Sequence, residues 1–142
     1  MLRGNYPGRV DAKGRLKIPV AFLTDLGSIF YVTSENGDYV RIYPMAVWHQ
    51  IEDRLARISS HNRTKQKFLL RANYYGQVVE LDGQGRVLIP AILREAAQMV
   101  GDVDILGNLN YIEVWKHERF VQLLAHSPIT REDDQILDDL GI

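Results

Sequence analysis

The sequence predicts a mixed α+β protein, mainly β, made of two copies of one unit. Three observations carry this. Asp11-Ala-Lys-Gly-Arg15-Leu-Lys-Ile-Pro19 returns 71 residues later as Asp82-Gly-Gln-Gly-Arg86-Val-Leu-Ile-Pro90. Tyr39-Val-Arg-Ile-Tyr43 returns at a shift of 72 as Tyr111-Ile-Glu-Val-Trp115, and Trp48 and Ile51 then fall opposite Phe120 and Leu123. Between these segments, turn residues cut the chain into short apolar runs of strand length. Order, spacing and residue type agree together, which is the signature of an internal repeat.

Each unit reads alike. A strand, clearest as Val78–Leu81, enters an Asp-x-x-Gly-Arg turn in which Gly14 or Gly85 supplies the positive φ that other residues resist. A second strand follows, Arg15–Ile18 or Arg86–Ile89, with polar and apolar residues alternating in the first copy. Pro19 and Pro90 suit the first turn of a short helix, since a missing N–H costs nothing there. Those helices are expected to end near Gly27 and Gly101 as left-handed caps. Next come Ile29–Thr33 and Tyr39–Tyr43, joined through Asn36-Gly37, a hairpin signal. The second copy has Val103–Leu106 and Tyr111–Trp115 around Gly107–Asn110. An amphipathic helix closes each unit, striped by Trp48, Ile51, Leu55 and Ile58 in the first and by Phe120, Leu123 and Leu124 in the second. Both stripes read as core. A further helix, roughly Thr64 to Ala72, bridges the copies.

These elements divide the chain into a first unit with its helix at 1–60, a helical bridge at 61–74, a second unit with its helix at 75–127, and an acidic C-terminal tail at 128–142. No Gly/Ser- or Pro-rich linker separates the units, and about 70 residues bury little surface alone. One body with a shared core is therefore expected.

Composition limits the functional classes. At 46% hydrophobic and 25% charged residues, the chain has the make-up of a soluble globular protein. It has no apolar run long enough to span a bilayer and no secretory signal pattern at its start, so the cytoplasm is the expected compartment. Cysteine is absent, which excludes disulfides, a thiol nucleophile and Cys-based zinc sites. His49, His61, His117 and His126 have no metal-ligand spacing, and no cofactor is implied. The net charge of −1 conceals an asymmetry: residues 1–71 carry a balance of +6 and residues 72–142 a balance of −7. Such a division suits a polyanion-facing end, or simply an acidic tail.

The repeated turn has a structural and a functional reading. Asp11 and Asp82 can each accept hydrogen bonds from backbone N–H groups two or three residues on, and the arginine four residues later can be an ion-pair partner. Around the first turn, however, Arg3, Arg9, Lys13, Arg15 and Lys17 face only Asp11. Lys13, Arg15 and Lys17 can project together while Leu16 and Ile18 face the core. A β element with such a row can enter the major groove of duplex DNA, with arginine on a guanine edge and lysines on phosphates. A paired-carboxylate enzyme is the competing chemistry, but it needs two carboxylates about 3 Å apart sharing a proton. An arginine beside each Asp holds it ionised and defeats that. No GxxxxGK[ST], HExxH or GxSxG pattern supports another reaction.

At these residues the sequence resembles the MraZ family of bacterial transcriptional regulators. The likeness rests on Arg3-Gly4, the two Asp-x-x-Gly-Arg…Ile-Pro segments, Tyr43-Pro44, Trp48, Asn73-Tyr-Tyr-Gly76, Leu109-Asn110-Tyr111 and Glu113-Val-Trp115, and it loses definition after about Ser127. It implies tandem SpoVT-AbrB-like half-domains, with swapped hairpins in a double-psi-like arrangement forming an intramolecular pseudo-dimer. It also implies a ring-like homo-oligomer that binds direct repeats in the promoter of the division and cell wall gene cluster, and so a nucleoid-associated protein. The Asp-x-x-x-Arg elements would face DNA, a role carried to Lys13, Arg15 and Arg86; Asp11, Gly14, Asp82 and Gly85 would shape the turns. Lys13 is matched by Gln84 and Lys17 by Leu88, so the first loop is expected to be the main contact and the second mainly structural. Double-stranded DNA and further copies of the chain are the expected partners, with neither membrane nor small-molecule substrate. An assembly protein, or an antitoxin-like role known for other AbrB-domain proteins, is the alternative; antitoxins of that kind usually carry a single half-unit.

Overall fold

The computed structural model describes residues 1–142. The elements run β1 (Asn5–Val10), β2 (Arg15–Lys17), α1 (Val20–Leu26), β3 (Ile29–Thr33), β4 (Val40–Pro44), α2 (Met45–Ala56), α3 (Arg63–Tyr74), β5 (Gln77–Glu80), β6 (Arg86–Leu88), α4 (Ala91–Ala96), β7 (Gly101–Asn108), β8 (Tyr111–Lys116), α5 (His117–His126) and α6 (Arg131–Asp139). All eight strands belong to one sheet in the order β5-β3-β4-β8-β7-β1-β2-β6, and every pairing in it is antiparallel.

The pairing interleaves the copies. β1 of the first unit runs along β7 of the second, from Asn5 opposite Leu106 to Val10 opposite Gly101. Reciprocally, β5 of the second unit runs along β3 of the first, from Ile29 opposite Glu80 to Val32 opposite Gln77. The remaining contacts across the copies join like to like: Leu16 faces Val87, its own equivalent in the repeat, and Arg41 faces its equivalent, Glu113. A two-fold relation between the copies gives this pairing. At the second crossing the duplicated position has become an opposite-charge pair of side chains, where identical residues would repel.

Strand alternation sorts the side chains. Leu16, Ile18, Phe22, Phe30, Val32, Val40 and Ile42 from one copy meet Val87, Ile89, Leu93, Ile105, Ile112 and Val114 from the other in one core cluster. The opposite face of β4 and β8 carries an aromatic layer instead. Tyr39 stacks on Trp115 at 4.3 Å and Tyr43 on Tyr111 at 4.8 Å, while the Arg41 guanidinium lies 5.4 Å from the Tyr39 ring centre and 5.3 Å from that of Tyr111. Arg41 also pairs with Glu35 at 2.9 Å, so this largely covered cation is neutralised, as burial requires.

Helices α2 and α3 attach through a separate small cluster. Trp48 stacks on Tyr31 at 4.4 Å and packs with Tyr43 and Ala72. The Tyr31 and Thr33 hydroxyls both donate to the Ala72 carbonyl, at 3.0 and 2.8 Å, satisfying a group left open at the helix end. A Cβ at Gly76 would collide with that carbonyl and with Tyr31, so glycine is required where the chain turns from α3 into β5. On the second unit, Asp104 is buried yet fully engaged. It accepts from Asn5 Nδ2 at 3.2 Å and lies 2.7 Å from His117 Nδ1. That hydrogen bond raises the His117 pKa above its usual 6.5; the stability gained is complete below that value and lost as pH rises through the folded one.

Several expectations need correction. Gly27 caps α1 with φ of 76° but ψ of −153°, outside the left-handed helical region expected; α4 ends earlier than expected, at Ala96, and positive φ occurs at both Gln98 and Gly101, the latter opening β7. The reversal there is made by a backbone bond from Met99 N to Arg94 O. The apolar stripes are not core. Trp48 alone among them is buried; Ile58 lies beyond the end of α2, and Ile58, Leu123 and Leu124 are exposed. Periodicity specifies an apolar face but not what covers it. The acidic stretch 128–142 contains a helix, α6, whose Thr130 and Asp133 form a reciprocal capping box of the usual form.

The shared core makes a sharp contrast between neighbours. Phe30 is fully buried and Val78 on the adjacent strand is 54% exposed. Phe30→Ala is expected to cost about 3–5 kcal/mol, and Val78→Ala less than about 1 kcal/mol. Urea unfolding checks this, with one cooperative transition for both copies in the parent protein.

Candidate nucleic-acid interface

The two loops are built alike, atom for atom. In the first, Asp11 Oδ1 accepts from the Lys13 and Arg15 amides, both at 2.9 Å. In the second, Asp82 Oδ1 accepts from the Gln84 and Arg86 amides at 2.8 and 2.9 Å. Each turn is closed by Gly N to Asp O, at 3.0 Å for Gly14 and 3.1 Å for Gly85. The glycines adopt φ of 85° and 76°, a region glycine enters at low cost and residues with a Cβ resist. Hydrogen bonds from the arginine amide hold both carboxyl groups below their usual pKa of 3.8.

The remaining carboxylate oxygen steers the arginine. Arg15 Nε donates to Asp11 Oδ2 at 3.3 Å and Arg86 Nε to Asp82 Oδ2 at 3.0 Å. With Nε engaged, the terminal nitrogens of the guanidinium are left to form a two-pronged donor, the form in which arginine reads a guanine edge or grips a phosphate. The structural reading and the binding reading thus converge on one device. The difference between the loops is in the far end of Arg86, whose Nη1 lies 4.0 Å from Asp11 Oδ2. Arg86 therefore spans both loops, while Arg15 belongs to one.

Strands β2 and β6 bring the loops together. Arg15 is opposite Leu88 and Lys17 opposite Arg86, so these four side chains share the outer face of the ladder while Leu16 and Val87 point into the core. The ladder is extended reciprocally by Ile18 N to Gly85 O and Ile89 N to Gly14 O, both at 2.9 Å. A surface results with a loop at each end and Lys17, Arg86 and half-exposed Leu88 between.

Not every expected cation joins it. Arg9 pairs with Asp102 at 3.0 Å. Arg3 stands beyond the far end of β1, beside the Leu109 turn, which at the rise of an extended strand is roughly 25 Å from Asp11. Lys13, Arg15, Lys17 and Arg86 form the cluster. A cation that the sequence reading passed over also belongs here. The Arg94 side chain of α4 lies over Gly14, where a Cβ would collide with it, whereas nothing lies within 4 Å of the same point at Gly85. Its Nε is buried without a hydrogen-bond partner. Extending the repeat alignment four residues past Ile-Pro would have found it, since Arg94 falls opposite Leu23. No group of three or more His, Asp or Glu side chains is arranged to hold a metal ion, and no helix is long and apolar enough to cross a membrane.

Fold and loops together define a class: a duplicated, strand-exchanged β protein that presents a pair of Asp-braced arginines on one surface. The model of the family described as "MraZ protein, putative antitoxin-like" matches residues 1–71 and 76–139. The chain is 50% identical to a "Transcriptional regulator MraZ" from Acidobacterium capsulatum and 49% identical to one from Koribacter versatilis, and 35% identical to one from Thermoanaerobacter sp., in each case over the whole of both chains. The chain belongs to the MraZ family, whose members bear the name of regulators and not of enzymes.

Two predictions follow from the loop geometry. Gly14→Ala and Gly85→Ala incur the same backbone strain, of about 1 kcal/mol, but only Gly14 must also displace Arg94, so it should lower the melting temperature further. Asp11→Asn and Asp82→Asn remove a charge whose folded pKa is depressed, so the stability concerned exists above pH 3.8 and is lost as pH falls through the folded value. The parent's advantage over either variant should be present at neutral pH and shrink as pH falls below 3.8; an advantage that stays constant across the titration contradicts a role for the charge.

Proposed function

We propose that this chain is a sequence-specific DNA-binding transcriptional regulator that meets duplex DNA with the β2–β6 face and its two loops. The observation that carries the reading is the pair of Asp-braced arginines with unopposed Lys13 and Lys17 beside them. A two-stranded β element fits the major groove. Arg15 supplies the base contact there and Lys13 and Lys17 the phosphate contacts, while Arg86, shared between the loops, fixes their spacing and touches DNA less. The half-units at 1–60 and 75–127, with 61–74 as bridge, act as an AbrB-like pseudo-dimer of swapped hairpins, which the exchanged β1–β7 and β3–β5 pairings favour.

One strongly basic loop per chain offers few phosphate contacts. Assembly into a ring would multiply them by effective concentration, provided the loop spacing matches repeats in the DNA. The exposed apolar faces of α5 and α6 support such self-association. By family likeness the site is a set of direct repeats upstream of the division and cell wall genes, and the protein works in the cytoplasm on the nucleoid.

The test compares Arg15→Ala, Arg86→Ala and Lys13→Ala on the DNA immediately upstream of the protein's own gene, by footprinting and fluorescence anisotropy across a salt series. Arg15→Ala should lose roughly 1–3 kcal/mol of discrimination per subunit, and Arg86→Ala less. Lys13→Ala should lower the salt slope by about one. Normal binding by Arg15→Ala, or failure only because the variant melts or falls apart, removes the assignment.

A further inference from the structure

Helix α6 is well formed and yet unattached. It buries no residue, and the hydrogen bonds that its residues make all stay within the C-terminal segment. It has only nine residues, and isolated helices shorter than about 12–15 residues are marginal in water. A capping box contributes about 1 kcal/mol at its start, which does not hold the other end. One side carries Ile136, 57% exposed, and Leu140, 68% exposed, four residues apart and followed by Ile142 at 81%. The rest is acidic: Glu132, Asp133, Asp134, Asp138 and Asp139 against Arg131 alone. Such a helix is built to dock by an apolar stripe on a basic surface.

The chain contains that surface. A groove between α2 and α3 is floored by Ile51, Leu55, Ile58 and Phe68 and rimmed by Arg54 and Lys65. Helix α3 carries Arg63, Lys65, Lys67 and Arg71 and no acidic residue. Much of the +6/−7 division of charge is therefore a division between α3 and α6, separate from the DNA-facing loop. Within one chain α6 leaves the groove open.

We propose that α6 of one copy docks in the α2–α3 groove of the next. Ile136 and Leu140 enter against Leu55, Ile58 and Phe68, and the acidic flanks meet Arg54 and Lys65. Each chain then offers one helix and one groove, a head-to-tail contact that closes into a ring when the rotation allows. This deepens the assembly reading given above and rests on it.

The absence of cysteine from the sequence gives a direct test. Leu140→Cys and Ile58→Cys are placed in separate, differently tagged full-length chains, and together in a third chain; the separate chains are mixed, all are oxidised mildly, and the reduced mixture is sedimented alongside. Both positions are exposed and lie outside the loops. The expected result is a reducible heterodimer of the two tagged chains from a mixture that sediments as an oligomer, with the oligomer weakened in Arg54→Glu/Lys65→Glu and by raised salt. A disulfide that forms only when both cysteines share one chain overturns the proposal, because the groove is then filled from within. Cross-links that join only like to like overturn it in favour of a symmetric contact. No cross-link in an assembled protein overturns the docking and leaves assembly standing. A monomer under all conditions removes the assembly reading itself, and the docking with it.

Discussion

The exchange of strands between the two copies is the constraint on which the rest of the structure depends. Because β1 completes its hydrogen bonding on β7 and β5 completes its own on β3, neither copy closes a sheet alone. The core follows from this, since Leu16 and Val87 can share one interior only when their strands are neighbours. So does the loop pair. The turns at Asp11 and Asp82 lie far apart in sequence but become the two ends of one short ladder.

Much of the candidate site was legible in the sequence because it is local. An Asp that braces its own turn, a glycine with positive φ and an arginine returning to the same carboxylate all fall within five residues, and spacing predicts them, although the second amide comes from four residues ahead, at Arg15 and Arg86, and not from two or three. What lay outside that window was less accessible. Arg94 reaches Gly14 from a helix of the other copy, and Arg86 reaches Asp11 across the ladder. Arg9 is engaged by Asp102 on a strand 93 residues away. A row of cations on paper thus separates into those that are paired, those that are distant and those that remain to meet a ligand.

The helices teach the complementary lesson. Their apolar spacing was readable, and α2, α3 and α5 all form, but the identity of the covering surface is a tertiary fact. Trp48 finds Tyr31, Tyr43 and Phe68 within the chain; Leu123, Leu124 and Leu140 stay exposed. An apolar stripe left open by its own fold points toward a neighbouring molecule.

The interleaved order also bears on how the protein is made. Chains emerge from the ribosome from the N-terminus at about 5–20 residues per second, and β1 must wait for a partner that begins at Gly101. Through that interval the oldest part of the polypeptide is an unpaired strand, the kind of segment that recruits the wrong partner. Its sequence, Asn5-Tyr6-Pro7-Gly8-Arg9-Val10, is poorly suited to such recruitment: a proline that cannot donate, a glycine that favours no extended shape, and a positive charge. Pro7 is tolerated in the finished sheet because the only register between β1 and β2 is Val10 with Leu16, so its missing N–H lies where no ladder runs. The residue that fits the unpaired side of β1 in the completed fold also guards the nascent chain.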